Sequence, residues 1–121
     1  MFQLKPITKE DIEWARKLRN ANKRYFVNQR TITRKEQEEW FKTVKDFFII
    51  WVGDKRVGTI SANDGEIGNV FIVEKYRGQG IFRKATELLG GTRLEIRADN
   101  KHALRIYKRL GFKIISYKMA K

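Results

Sequence analysis

Val70-Phe71-Ile72-Val73-Glu74-Lys75-Tyr76-Arg77-Gly78-Gln79-Gly80-Ile81 is the stretch on which the reading of the fold turns. Its apolar start reads as a strand and its glycines as a loop, while Ile81, Ala85, Leu88 and Leu89 form the apolar stripe of a following helix. A strand that passes through a glycine loop into a helix gathers free backbone N–H groups where the helix dipole is positive, so the junction is an anion site. Glycine lets a phosphate approach the backbone, and Arg77, Arg83 and Lys84 add positive charge nearby. No Gly-Lys-Ser/Thr follows, which excludes a P-loop, and the third glycine of a dinucleotide fingerprint is missing.

Upstream of this junction, a strand is expected from about Glu66 to Val73, entered by an Asp64-Gly65 turn. Phe47 to Val52 and Arg56 to Ser61 flank Gly53-Asp54-Lys55 and read as a hairpin. Thr33 starts a helix in which Gln37, Trp40, Phe41 and Val44 recur at helical spacing, so both aromatics are expected in the core. Earlier still, Thr8 is an N-cap with Asp11 at capping-box spacing, for a helix with Ile12, Ala15 and Leu18 on one face. Phe2 and Leu4 alternate with Gln3 and Lys5 in a short first strand that ends at Pro6.

Downstream, Gly90-Gly91 ends the helix. Arg93 to Arg97 alternates, with Leu94 and Ile96 on one face and Arg93, Glu95 and Arg97 on the other. Asp99 or Asn100 caps a last helix carrying Ala103, Ile106, Tyr107 and Leu110, and Gly111 stops it before a final strand from Phe112 to about Tyr117. The expected order is β-α-α-β-β-β-α-β-α-β, without internal repeat, and residues 1–121 read as one domain.

Composition narrows the classes of function. Without cysteine there is no disulfide framework, thiol nucleophile or cysteine-ligated zinc, and a single histidine rules out a multi-histidine metal site. No apolar run reaches membrane-span length, and the Met1 to Pro6 start lacks the apolar stretch of a signal peptide. These exclusions leave a cytoplasmic, metal-free enzyme as the expectation. The 27 Lys and Arg against 14 Asp and Glu give a net charge of +13, which calls for an anionic partner without saying whether it is nucleic acid, membrane surface or a polyphosphate cofactor.

Tyr76-Arg77-Gly78-Gln79-Gly80-Ile81 closely resembles the acetyl-CoA pyrophosphate motif of the GNAT superfamily: Arg or Gln, two residues, Gly, one residue, then Gly or Ala. The stretch from Asn100 through Ala103 and Tyr107 to Gly111-Phe112 resembles the second family motif, Asn-x-x-Ala-x-x-x-Tyr followed by Gly-Phe. Together the motifs cover roughly Val70 to Phe112. The resemblance implies the GNAT fold, a mixed α/β (α+β) domain whose central, mostly antiparallel sheet of about six strands is flanked by about four helices. It also implies acetyl transfer from acetyl-CoA to a primary amine by direct attack. One position departs: Phe82 stands where Gly or Ala is usual, which is expected to alter packing beside the pyrophosphate and with it cofactor affinity.

By the same resemblance, Val70, Phe71 and Ile72 offer strand-edge backbone groups to pantetheine, with an N–H near Ile72 for the oxyanion. Gly78, Gln79, Gly80, Ile81, Phe82 and Arg83 hold the pyrophosphate with Arg77 beside them, and Asn100 both caps its helix and contacts the pantetheine arm. Tyr107 is the candidate general acid to the departing thiolate, since a phenol with an ordinary pKa of about 10 can protonate a thiolate in a dry site. Glu95 is a candidate base for the amine or, equally, a strand carboxylate paired with Arg93, Arg97 or a nearby lysine. Glu66, which shares strand parity with Val70 and Ile72, is the reserve.

Arg19-Asn20 and the helix from Thr33 to Phe41 resemble the acceptor entrance of ribosomal-protein and nucleotide-amino-sugar acetyltransferases. Those enzymes are usually longer, so part of the acceptor pocket is either absent here or supplied by a second subunit, as in a homodimer. A protein amine or a nucleotide-linked amino sugar is the expected acceptor. The alternative is a basic nucleic-acid-binding module on the same fold with little catalysis, although no RRM or OB stacking platform is present.

Overall fold

In the computed structural model, which describes residues 2–121, the chain runs β1 (Gln3–Pro6), α1 (Ile12–Ala21), α2 (Arg34–Phe41), β2 (Phe47–Val52), β3 (Lys55–Asn63), β4 (Glu66–Ile72), α3 (Ile81–Leu89), β5 (Arg93–Leu94) and α4 (Lys101–Arg109). Short 3-10 turns at Lys9–Asp11, Lys23–Tyr25 and Glu74–Tyr76 lie between them. The strands lie side by side in chain order, antiparallel from β1 to β4, and β5 joins β4 in parallel.

The apolar run of β2 is continuous because both faces of the sheet are covered. Ile50, Val57, Ile60, Ile67 and Ile72 pack on one face against Ile81 and Ala85 of α3. Phe47 and Ile49 pack on the other against Ala15 of α1, with Trp14 and Trp40 closing around them. Trp40 meets Phe47 edge-on at 5.0 Å between ring centroids.

Helix starts follow their local chemistry. Thr8 and Asp11 form the capping box expected of them, and Thr33 does the same with Glu36. The α3 stripe is rotated from the expected one: Ile81, Ala85 and Leu89 pack inward, but Leu88 is 70% exposed. Phe82 also packs against the core, so the buried stripe runs through Ile81, Phe82, Ala85 and Leu89.

Two expectations fail at the end of the sheet. The strand expected over Arg93 to Arg97 is only Arg93–Leu94, paired at Glu66↔Arg93 and Ile67↔Leu94. Just beyond that pairing β4 bulges: Ser61 faces Gly68 and Thr59 faces Phe71, so two residues, Asn69 and Val70, oppose Ile60 alone. Asn69 sits in the left-handed region at φ 50°, and β4 leaves the line that β5 would follow.

The final strand expected from Phe112 to Tyr117 is likewise absent, giving five strands among the described residues rather than six. A two-residue β5 offers too short an edge for it to pair with. Phe112 still anchors the segment against Tyr107, with ring centroids 5.4 Å apart, but Ile115 is 87% exposed. Among the described residues, no helix is long and apolar enough to cross a membrane.

Candidate active site

The loop between β4 and α3 takes the form its glycines require. Gly78 and Gly80 have φ of 79° and 77°, and Gly80 is the N-cap of α3. A Cβ built on either meets nothing within 4 Å, so glycine is needed there for backbone conformation and the space above the loop is open. The first hydrogen bond of the helix runs from Lys84 N–H to Gly80 C=O at 3.1 Å, which leaves the N–H groups of Ile81, Phe82 and Arg83 ahead of the ladder, at the positive end of the dipole.

Two side chains assigned to this loop point elsewhere. Arg77 turns back onto β4, donating from Nε to the Ile72 carbonyl at 2.8 Å and stacking 5.0 Å from the Phe71 ring. Phe82 turns inward and meets Tyr107 edge-on at 4.9 Å, so its ring fills space between α3 and α4. Arg83 stays exposed and pairs with Glu87 at 3.2 Å.

Beside the loop, β4 presents an edge that β5 does not cover, on which Arg77 already occupies the Ile72 carbonyl. Val73 N–H donates to Val57 C=O at 2.8 Å; by antiparallel alternation the neighbouring Ile72 turns its N–H and C=O away from β3. That is the edge β5 has already left. The bulge that opens it is held from β3: Thr59 Oγ1 donates to the Asn69 carbonyl at 2.6 Å, and Asn69 Nδ2 donates to Ser61 Oγ at 3.0 Å. These three residues were not foreseen from the sequence, although Gly68-Asn69, two poor strand formers inside an apolar strand, was a usable signal.

A cleft of about 610 Å³ opens along this edge. Tyr107, Glu95, Glu66, Asn100, Val70, Phe71 and Phe82 all line it, whereas Ile72, Arg77, Gly78, Gln79, Gly80, Ile81 and Arg83 do not. Asn100 caps α4 as expected, its Oδ1 accepting from Ala103 N–H at 3.3 Å. Tyr107 is 4% exposed, and burial pushes its phenol pKa far up, so the hydroxyl is protonated at any working pH.

The ion pairs considered for Glu95 do not form, because Arg93 donates to the Asp64 carbonyl at 2.6 Å and Arg97 holds both oxygens of Asp99 at 3.0 Å. Glu66 does not share a face with Ile72, as uninterrupted alternation would have it. The bulge inverts the parity, so Ile67 and Ile72, five positions apart, enter the same core cluster, and Glu66 lies with Gly68 and Phe71 on the other face.

The far end of the cleft is roofed by residues 22–32. Asn20 grips Ile32 twice, Nδ2 to the carbonyl at 2.8 Å and Oδ1 from the N–H at 2.9 Å. Arg19 donates to the carbonyls of Asn28 and Arg30 and lies 5.4 Å from the Phe26 ring. Phe26 in turn stacks on Phe71 at 6.1 Å and 22°, with Tyr25 tilted beside it at 6.3 Å. Arg19 and Asn20 thus hold the roof in place, and their polar groups are turned into it.

A family model described as an acetyltransferase (GNAT) domain matches residues 44–114, more than half of the chain. The chain belongs to the GNAT acetyltransferase family. Mycothiol acetyltransferase of Corynebacterium efficiens is 31% identical over 97 residues, covering 69% of this chain and 32% of that protein, so the chain spans about a third of the length of this curated relative. A domain from Methanocaldococcus jannaschii superposes with a TM-score of 0.77 at 20% identity, covering 93% of this chain and 88% of its own. Arabidopsis thaliana Naa50, in complex with the bisubstrate analogue CoA-Ac-MVNAL, superposes with a TM-score of 0.69 at 16% identity over 95% of this chain and 85% of its own. These two likenesses establish the fold.

Proposed function

We propose that this chain, acting as one domain over residues 1–121 in the cytoplasm and without a metal, transfers an acetyl group from acetyl-CoA to a primary amine carried by a protein or a nucleotide-linked sugar. The observation that carries the reading is the junction of two features. An open cradle of N–H groups at Ile81, Phe82 and Arg83 adjoins a freed strand edge, and the edge leads into a cleft lined by Tyr107, Glu95, Glu66 and Asn100. The cradle suits a pyrophosphate, and the edge from Val70 to Ile72 suits an amide-bearing pantetheine arm.

Acetyl-CoA supplies a thioester whose C–S bond breaks as the new N–C bond forms; the amine gives up one proton and the sulfur takes one up. The outward N–H of Ile72 is preorganised to stabilise negative charge developing on the thioester oxygen. Tyr107, kept neutral by burial, is the proton donor to the sulfur; the same burial weakens the phenol as an acid, so the transfer relies on the departing thiolate being desolvated in the same dry site. Glu95, free of its strand arginines, accepts the amine's proton directly or through water, with Glu66 in reserve. Asn100 orients the pantetheine arm from the α4 cap.

The test is Tyr107→Phe, which keeps the ring contacts with Phe82 and Phe112 and deletes only the donor. Thiol release under saturating acetyl-CoA should show kcat lower by about 100-fold with acetyl-CoA affinity close to wild type. Unchanged turnover would show that water protonates the thiolate.

A further inference from the structure

The acceptor half of the cleft can be read by asking which of its charges are already engaged. Five charged side chains line the cleft: Arg19, Arg30, Glu36, Glu66 and Glu95. Arg30 is paired with Glu36, whose carboxyl also accepts from Thr33 N–H at 3.2 Å in the α2 cap. The guanidinium of Arg19 is turned into the carbonyls of residues 28 and 30 and packed against Phe26. Among the described residues, Glu66 and Glu95 enter no hydrogen bond or ion pair through their side chains. The cleft therefore offers an incoming molecule two carboxylates and no unengaged cation.

Their placement is shared. Glu66 is the register partner of Arg93 on the parallel β5, and residues in register lie on one face of a sheet. Glu95 lies just past the end of β5 and lines the same cleft as Glu66. The rest of the cleft lining mixes apolar Leu18, Val27, Ile32, Trp40, Phe47 and Phe71 with polar Asn28 and Gln37 and the already engaged Arg19, Arg30 and Glu36.

We propose, resting on the acetyl-transfer reading above, that the acceptor is an unphosphorylated cationic amine with an apolar group beside it, as at the N-terminus of a peptide whose first side chain is large and apolar. Glu66 and Glu95 draw in the ammonium, which releases one proton to solvent by way of these carboxylates before the neutral amine attacks, and the roof side receives the apolar group. A phosphorylated acceptor would place its charge against two carboxylates with no free arginine to meet it. The +13 of the whole chain does not reverse this, because at physiological salt charges act over about 8 Å, so the groups lining the cleft outweigh those on the outer surface.

The experiment measures thiol release at saturating acetyl-CoA with peptides of equal length that begin with Leu or Met, or with Ser or Gly, and with glucosamine 6-phosphate, a nucleotide-linked amino sugar and spermidine. The apolar-first peptides should exceed the small-first ones by about 10-fold or more in kcat/KM, the size of effect a hydrophobic pocket exerts on one side chain. Phosphorylated acceptors should fall about 100-fold lower, and E66Q should raise the KM of the best peptide by about 10-fold.

Equal rates on apolar-first and small-first peptides, spermidine matching the Leu peptide, or better turnover of a phosphorylated amine would overturn the assignment. Calorimetric binding of acetyl-CoA without thiol release on any peptide would overturn it as well. Loss of acetyl-CoA binding itself would instead bring down the transfer reading on which it rests.

Discussion

The glycine loop and the roofed cleft beside it are built by different means. In the loop the shape lies in the main chain: Gly78 and Gly80 at positive φ turn the backbone, and the helix start supplies the donors. Under the roof it lies in side chains that cross between segments, with Asn20 and Arg19 of α1 holding a roof whose Phe26 rests on Phe71. A site made of backbone is damaged by changing conformation. A site made of side-chain staples is damaged by deleting a single polar group, and the damage should stay in its own region.

The sharpest separation should come from Gly80→Val. A β-branched residue at φ 77° meets strain of about 1–3 kcal/mol, and relieving it turns the N–H groups of the cradle away from their common focus. Because a Cβ there meets nothing within 4 Å, the fold itself has no clash to resolve. Acetyl-CoA affinity should drop by about 100-fold or more while the thermal melt stays cooperative, since the cradle acts as a unit. Calorimetric titration showing wild-type affinity would remove the phosphate loop from the site.

The complementary change is Asn20→Ala. It deletes both bonds to Ile32 and leaves the Ile32 carbonyl with only the 3.3 Å contact from Arg16. The roof should loosen, raising acceptor KM by about 10-fold with kcat and acetyl-CoA affinity nearly unchanged. If acetyl-CoA affinity fell in step with acceptor KM, the two regions would be coupled and the distinction drawn between them would be wrong.

The same contrast governs what could be read from the chain before its structure. The Arg77 to Gly80 loop, the caps at Thr8, Thr33 and Asn100 and the stop at Gly111 depend on neighbours within about four residues, so residue type and spacing carry them. The Asn20 grip on Ile32 spans 12 positions and the link from Arg56 to Asp11 spans 45; no local pattern encodes either. The final strand fails for the same reason: Phe112 to Tyr117 has strand-forming residues, but whether they pair depends on an edge that the bulge at Asn69 cuts short. Tyr107, Glu95 and Asn100 could be named because the family motif or strand alternation marked them. Their meeting in one cleft is a property of the sheet.

The smallest effect on activity, though not on stability, is expected at Asp11, which does not line the cleft. Its carboxylate is 3% exposed and takes bonds of 2.8 Å from Thr8 N–H, Thr8 Oγ1 and Arg56 Nε, tying the start of α1 to β3. Burial alone would raise its pKa, but the Thr8 N–H, the Arg56 guanidinium and the Thr8 hydroxyl together hold it below the ordinary value. A depressed folded pKa means stability that is present above the unfolded value of about 3.9 and is lost as pH falls through the folded one. Asp11→Asn keeps the size, removes the charge and should cost about 1–2 kcal/mol near neutral pH. Urea unfolding of the two proteins at pH 7, 5 and 3 should show the gap holding at pH 7 and 5 and shrinking by pH 3, with turnover of folded protein changed by less than about 3-fold at pH 7. A gap that persists unchanged at pH 3 would mean that Asp11 acts by shape, and that its charge contributes nothing to holding α1 under the roof.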